Sequence, residues 1–164
     1  MRHLNRRAGA RGVTLIELMI GLGIAAMLLV AAGPFYGDFV SNSRLREAGN
    51  TLFSETMFAQ SESIKRNATV RVVVTGAAIQ TRDMSVGATG TVIRDIAMPA
   101  PVTAAANTTF DFSSDGRPSP FGTAIAVNLV ATGAVCSDER RCPGLRVDAG
   151  GAVRLCGNYL SGCP

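Results

Sequence analysis

The sequence predicts an α+β chain: one long N-terminal helix, transmembrane in its first half, packed on a mostly antiparallel β-sheet head. Three observations predict it. Residues 13–33 are almost unbrokenly apolar, with Thr14 and Glu17 the strongly polar exceptions. Residues 35–66 carry apolar side chains at helical spacing among charged ones. After Asn67 the period shortens to two, and glycine, proline and aspartate separate short apolar runs.

The first element is a basic leader. The 164-residue chain has a formal charge of +4, but the surplus is local. Arg2, Arg6, Arg7 and Arg11 all precede Val13, and the basic residues that remain only balance the 12 acidic ones. Overall basicity is therefore no sign of a nucleic-acid surface on the folded body. The single histidine, His3, lies in the same leader. A histidine-based triad or zinc site is excluded on that ground.

The second element is the apolar stretch. As a helix, residues 13–33 would rise about 31 Å, close to one hydrocarbon core. The arginines before it would stay cytoplasmic and the rest of the chain would lie outside. Two ordinary readings fit in part: a secretory signal cut near Val30-Ala31-Ala32-Gly33, and a plain signal anchor with Glu17 at the interface. Neither explains a carboxylate a few residues inside an apolar helix. An isolated charge there is costly, which points to pairing or function.

The stretch Gly12-Val13-Thr14-Leu15-Ile16-Glu17-Leu18 resembles the processing site of type IV pilins and type II secretion pseudopilins. The resemblance implies that a prepilin peptidase cuts between Gly12 and Val13 on the cytoplasmic side. Val13, in place of the usual phenylalanine, would become the N-methylated first residue, and the apolar helix would be kept. It also implies a partner for Glu17. The new amine of a neighbouring subunit would pair with the carboxylate inside an assembled filament, offsetting two costly charges and setting the axial register.

Pro34 can kink or end a helix. Continuation to Arg66 is expected because Leu45, Ala48 and Leu52 repeat at helical spacing, as do Phe53, Met57 and Ile64. Both stripes are expected to face a core. Expected strands cover residues 70–75, 86–96, 108–113, 125–130, 145–148 and 152–156, with a Pro/Ala-rich connection over 99–107. The organisation is then a cleaved leader (1–12), a helix (13–66) whose membrane or filament stem reaches about residue 34, and a β-rich head (67–164). The strand and glycine turn Phe110-Asp111-Phe112-Ser113-Ser114-Asp115-Gly116-Arg117 resemble the head of the GspH/FimT family, nearest to minor pilins of the FimU and FimT kind. That resemblance implies a pilin-like fold.

Cys136, Cys142, Cys156 and Cys163 all fall near the C-terminus. Beside an N-terminal membrane signal they point to an oxidising compartment and two disulfides, with three pairings open. Neighbour pairing would join Cys136 to Cys142 and Cys156 to Cys163. A four-cysteine zinc site competes, but these spacings are wider than the tight C-x2-C of common structural sites.

No enzymatic set emerges, and no cofactor is expected. The chain has neither a phosphate-binding G-x-x-x-x-G-K-S/T loop nor an H-E-x-x-H helix. Asp111 and Asp115 are read as turn and strand residues rather than paired catalytic carboxylates. For DNA, the G-R-x-R pattern of DNA-binding FimT-like proteins is matched here by Gly151-Ala152-Val153-Arg154, with Ala152 where the first arginine would be. Arg140, Arg141 and Arg146 lie nearby in sequence, diluted by Asp138, Glu139 and Asp148. The competing readings of Arg140, Arg141, Arg146 and Arg154 are local ion pairs, DNA contact and protein contact.

The resemblance implies a minor type IV pilin, a structural subunit that initiates or caps pilus assembly. Its partners would be the prepilin peptidase, other minor pilins, the major pilin and the inner membrane. It would be single-pass with a periplasmic head, then part of the pilus fibre or tip. The alternatives are a DNA-binding minor pilin for natural transformation and a minor pseudopilin of type II secretion.

Overall fold

The computed structural model describes residues 12–163. The arginines and histidine of the leader lie outside the described residues. The chain divides into two compact units, the first ending at Gly37 and the second starting at Asp38.

Helix α1, Leu15–Arg66, runs through Pro34. In the first unit every described side chain from Leu15 to Val30 is exposed, including Leu18, Met19, Leu22 and Leu29. No single helix among the described residues is long and apolar enough to cross a membrane, whereas Leu15–Ala31 and Tyr36–Arg66 meet that length and composition as a pair. Pro34, which lacks the donor for a helical hydrogen bond, falls in the interval between them.

The second unit carries nine strands: β1 (Val70–Thr75), β2 (Ala78–Asp83), β3 (Thr91–Ala97), β4 (Val102–Ala104), β5 (Thr108–Phe112), β6 (Pro118–Ser119), β7 (Ile125–Ala131), β8 (Gly144–Val147) and β9 (Val153–Cys156). They form two sheets, β3-β2-β1-β5-β6 and β4-β7-β8-β9, in which every pairing is antiparallel. A single sheet was expected; two form because β7, β8 and β9 pair only with one another and with Val102–Ala104, a short strand inside the Pro/Ala-rich connection. Strand β2 was not expected, since Gln80, Thr81, Arg82 and Asp83 give no apolar alternation. It forms as the return arm of a hairpin whose two-residue turn is Gly76-Ala77. The run expected over 86–96 begins as a strand only at Thr91.

The core is built where α1 lies against the sheets. Val70, Val72 and Val74 alternate inward on β1, and Ile79, Phe110 and Phe112 join them from β2 and β5. From α1 come Leu45, Ala48, Leu52 and Ala59. The second stripe departs from expectation: Phe53 is partly buried, but Met57 and Ile64 are 43% and 56% exposed. The buried face instead continues at helical spacing from Leu52 through Glu55, Thr56, Glu62 and Ser63. A polar seam thus succeeds the apolar stripe on one face of the helix.

Arginines close that seam. Arg94 of β3 donates to Glu55 at 3.0 Å and stacks over Phe58, 3.7 Å from its ring centroid. Arg66 donates to Glu62 at 2.7 Å and to Asp83 at 3.0 Å. The Arg66 and Lys65 contacts hold the Glu62 carboxyl below its ordinary value of 4.5, and hydrogen bonds from Ser85, with Arg66, hold Asp83 below 3.8. Both groups therefore add stability above their unfolded values that is lost as pH falls through their lower folded values. The melting temperature is expected to drop on acidification below about pH 4.5. In Glu62→Gln it is expected to start lower at neutral pH and fall less steeply. Thermal unfolding followed by circular dichroism across pH 7 to 2 checks this.

Gly49 sets the approach of α1 to the second sheet. A Cβ there would come within 3.0 Å of Pro143 Cβ and 3.4 Å of Leu155 Cδ1. Gly49→Ala sets about 1 kcal/mol of helix propensity against a small displacement of Pro143, and Gly49→Val must push Pro143 farther. We expect Gly49→Val to lose about 1–3 kcal/mol through overpacking, read as a lower denaturation midpoint than that of Gly49→Ala.

Candidate functional site

Two regions carry the residues singled out from sequence. The first is the start of α1. Gly12, Val13 and Thr14 are exposed and non-helical, so the Gly12–Val13 bond precedes the helix in open chain. The helix begins at Leu15 because Thr14 caps it. Its carbonyl accepts from the Leu18 amide at 3.1 Å, and its hydroxyl accepts from the Glu17 amide at 3.3 Å. This is the first half of a capping box, which was not expected from the sequence although its Thr-x-x-Glu spacing signals it. Glu17 thus sits in the first turn, where the helix dipole favours a carboxylate. It is the one charged side chain on an otherwise apolar, exposed surface from Leu15 to Val30.

The second region is the C-terminal cysteine and arginine cluster. The disulfides are Cys136–Cys142 and Cys156–Cys163, the neighbour pairing. With all four cysteines bonded, none is a thiolate ligand, and among the described residues no cluster could hold a metal. The first loop is clasped to α1. Asn42 donates to the Glu139 carbonyl at 3.0 Å and accepts from the Arg141 amide at 3.2 Å. Arg140 donates to Asp38 at 2.7 Å. The second loop closes around a 3-10 turn, Tyr159–Ser161, capped by Asn158. Buried Asn158 also donates to the Ser137 carbonyl at 3.2 Å, joining the two loops.

The four candidate arginines do not form one patch. Arg140 is spent on Asp38, and Arg141 is exposed beside Asn42. Arg146 and Arg154 stand directly opposite each other on β8 and β9. Arg146 is half-buried, donating to the Leu145 carbonyl at 2.8 Å, while Arg154 reaches Asp148 only at 3.8 Å. Gly151 serves the fold: its φ is +93°, and its carbonyl accepts from Gln60 of α1 at 2.9 Å. Gln60 also donates to the Gly116 carbonyl at 2.7 Å, pinning two hairpin turns to one helix position. Asp111 forms a two-point ion pair with Arg71 at 2.7 and 2.8 Å, and Asp115 accepts from Ser113 and the Arg117 amide. The two aspartates thus hold a strand pair and a turn.

Residues 7–33 match the prokaryotic N-terminal methylation motif. Residues 48–156, most of the chain, match the family described as type II transport protein GspH. The chain belongs to the GspH family. Its fold is also that of the type IV minor pilin FimU from Pseudomonas aeruginosa strain PAO1, seen in two crystal forms. In space group P21 the TM-score is 0.56 at 18% identity, covering 71% of this chain and 91% of FimU. In space group P65 the values are 0.53, 17%, 67% and 90%. No curated protein matches the sequence significantly. This GspH-family chain therefore has a methylation-motif N-terminus and a head whose strand pairings are all antiparallel.

Proposed function

We propose that the chain is a minor type IV pilin, a structural subunit that initiates or caps pilus assembly rather than an enzyme. The observation that carries this is the pairing of a GspH-family head with a methylation-motif N-terminus whose Gly12–Val13 bond lies in exposed chain just before a capped helix. In this reading prepilin peptidase cuts after Gly12, Val13 is methylated, and the apolar half of α1 holds the protein in the inner membrane with its head in the periplasm. Glu17 then pairs with the amine of a neighbour as the subunit passes into the fibre among other minor pilins and the major pilin.

Mass spectrometry of the mature chain tests it. The expected N-terminus is methylated Val13. A start beyond Ala32 would mean an ordinary secretory signal and would sink the reading.

The family description favours a second reading, a minor pseudopilin of type II secretion. Deleting the gene separates them: loss of pili and twitching with secretion intact supports the pilus subunit, and the reverse supports the pseudopilin. The FimT-like DNA-uptake role has less support, because Arg140 is paired with Asp38 of α1 and the four candidate arginines do not form one patch.

A further inference from the structure

We infer that Arg146 and Arg154 form a receptor for an acidic side chain, aspartate or glutamate, of a neighbouring protein subunit. This rests on the assembly role above, since it names a contact within it. The starting observation is a conflict in the sheet. Arg146 and Arg154 are directly opposed on antiparallel strands, so both side chains leave the same face. Like charges in that relation destabilise a strand pair. Among the described residues the only carboxylate that meets either is Asp148, at 3.8 Å from Arg154. Asp148 is already committed, because its Oδ1 accepts from the Gly150 and Ala152 amides at 3.0 and 2.9 Å. Arg154 thus reaches only the spare oxygen of a turn carboxylate, and Arg146 meets only the Leu145 carbonyl. A local rule broken without internal compensation marks a site kept for an external partner.

The surroundings are concave. A cleft of about 390 Å³ lies between the arginine pair and the loop closed by Cys156–Cys163, with Gly157, Asn158 and Ser161 on its wall. A second, of about 240 Å³, opens on the other side of the same pair over Ala124 and Ala126. Small residues leave the guanidiniums accessible at the floor: Ala126 is the β7 neighbour of Arg146, and Arg146 Nη1 lies over Gly144. Arg154 keeps 61% of its side chain exposed. Paired guanidiniums in a shallow cleft fit a planar carboxylate with two-point hydrogen bonds.

A carboxylate is favoured over a nucleic-acid backbone because the one further exposed candidate arginine, Arg141, lines neighbouring clefts together with Asp138 and Glu139. Phosphate tracks need several neighbouring cations to gain affinity. Here Arg140 is tied to Asp38, and Asp138, Glu139 and Asp148 border the region with negative charge.

The test uses the full chain in neutral detergent micelles and two fluorescein-labelled probes, oligoglutamate and oligodeoxythymidylate, read by anisotropy. The expected result is salt-sensitive oligoglutamate binding, weakened about tenfold in Arg154→Gln and again in Arg146→Gln, and largely kept in Arg154→Lys. Because the pair opposes itself, Arg154→Gln is also expected to melt no lower than the parent, which a structural arginine would not allow. No oligoglutamate binding, or unchanged binding in Arg154→Gln, overturns the inference. Preference for oligodeoxythymidylate overturns it in favour of nucleic acid. Binding that appears only when the C-terminal carboxyl is amidated overturns it too, assigning the pair to the chain's own terminus. None of these outcomes alters the N-terminus found by mass spectrometry, so failure here is distinct from failure of the assembly reading.

Discussion

Glu17→Leu is expected to yield a chain that enters the membrane, is cut after Gly12, and is then missing from sheared fibres. Leucine makes the helix more apolar, so insertion should improve. In the proposed assembly, what is lost is the partner for a neighbour's amine inside the stem. Removing one member of a buried ion pair leaves the other charge uncompensated, at a cost of roughly 3–5 kcal/mol. At about 1.4 kcal/mol per factor of ten, incorporation should fall a hundredfold or more. Glu17→Gln should fall between the two, since an amide accepts hydrogen bonds without charge. Immunoblots of membrane and sheared-fibre fractions read the result. Wild-type levels of Glu17→Leu in fibres would leave the carboxylate with no role beyond the first turn of α1.

The second large effect belongs to the Cys136–Cys142 disulfide. Its loop spans a sequence separation of 6, for which chain entropy alone gives about 2 kcal/mol. The loop also carries the Asn42 clasp, the Asp38–Arg140 ion pair and the Asn158 bridge, all of which require its closed shape. Cys142 is fully buried in the core cluster, so serine there leaves a hydroxyl without solvent. The double change Cys136→Ser with Cys142→Ser is expected to lower the melting temperature by about 10 °C. Cys156→Ser with Cys163→Ser should cost less, because those residues are only partly buried and lie on an edge strand and its trailing loop. Equal losses would mean that the two loops act as one unit through Asn158. Melting curves of the two variants, with reductant-treated parent as reference, decide it.

The two effects depend on sequence information of different kinds. Glu17 was legible because one charge in an apolar run is a local anomaly, visible without neighbours. The Thr14 cap was not read from the sequence, although a capping box is a spacing of only three. The buried helix stripe through Leu45, Ala48 and Leu52 followed from period, as did the alternation of β1. Periodicity misled at Met57 and Ile64. They repeat with Phe53 but lie off the face occupied by Glu55, Thr56, Glu62 and Ser63, where Arg94 of β3 meets Glu55 and Arg66 of the helix itself links Glu62 to Asp83 of β2.

By itself, then, the sequence determined what is set within a few residues along the chain: the apolar half-helix with its carboxylate, the turn-punctuated β character of the head and the clustering of the cysteines. Tertiary structure alone decided which strands pair, and therefore everything that depends on opposition across a sheet. It placed β4 beside β7 and divided the strands into two sheets. It also separated four arginines that look alike in sequence into one bound to Asp38, one beside Asn42 and two facing each other. The physical reason is that backbone hydrogen bonds between strands are indifferent to side-chain identity, so register and partner are chosen by the summed burial of residues far apart in the chain. A charge can be seen in a sequence; whether it has a partner is a property of the fold.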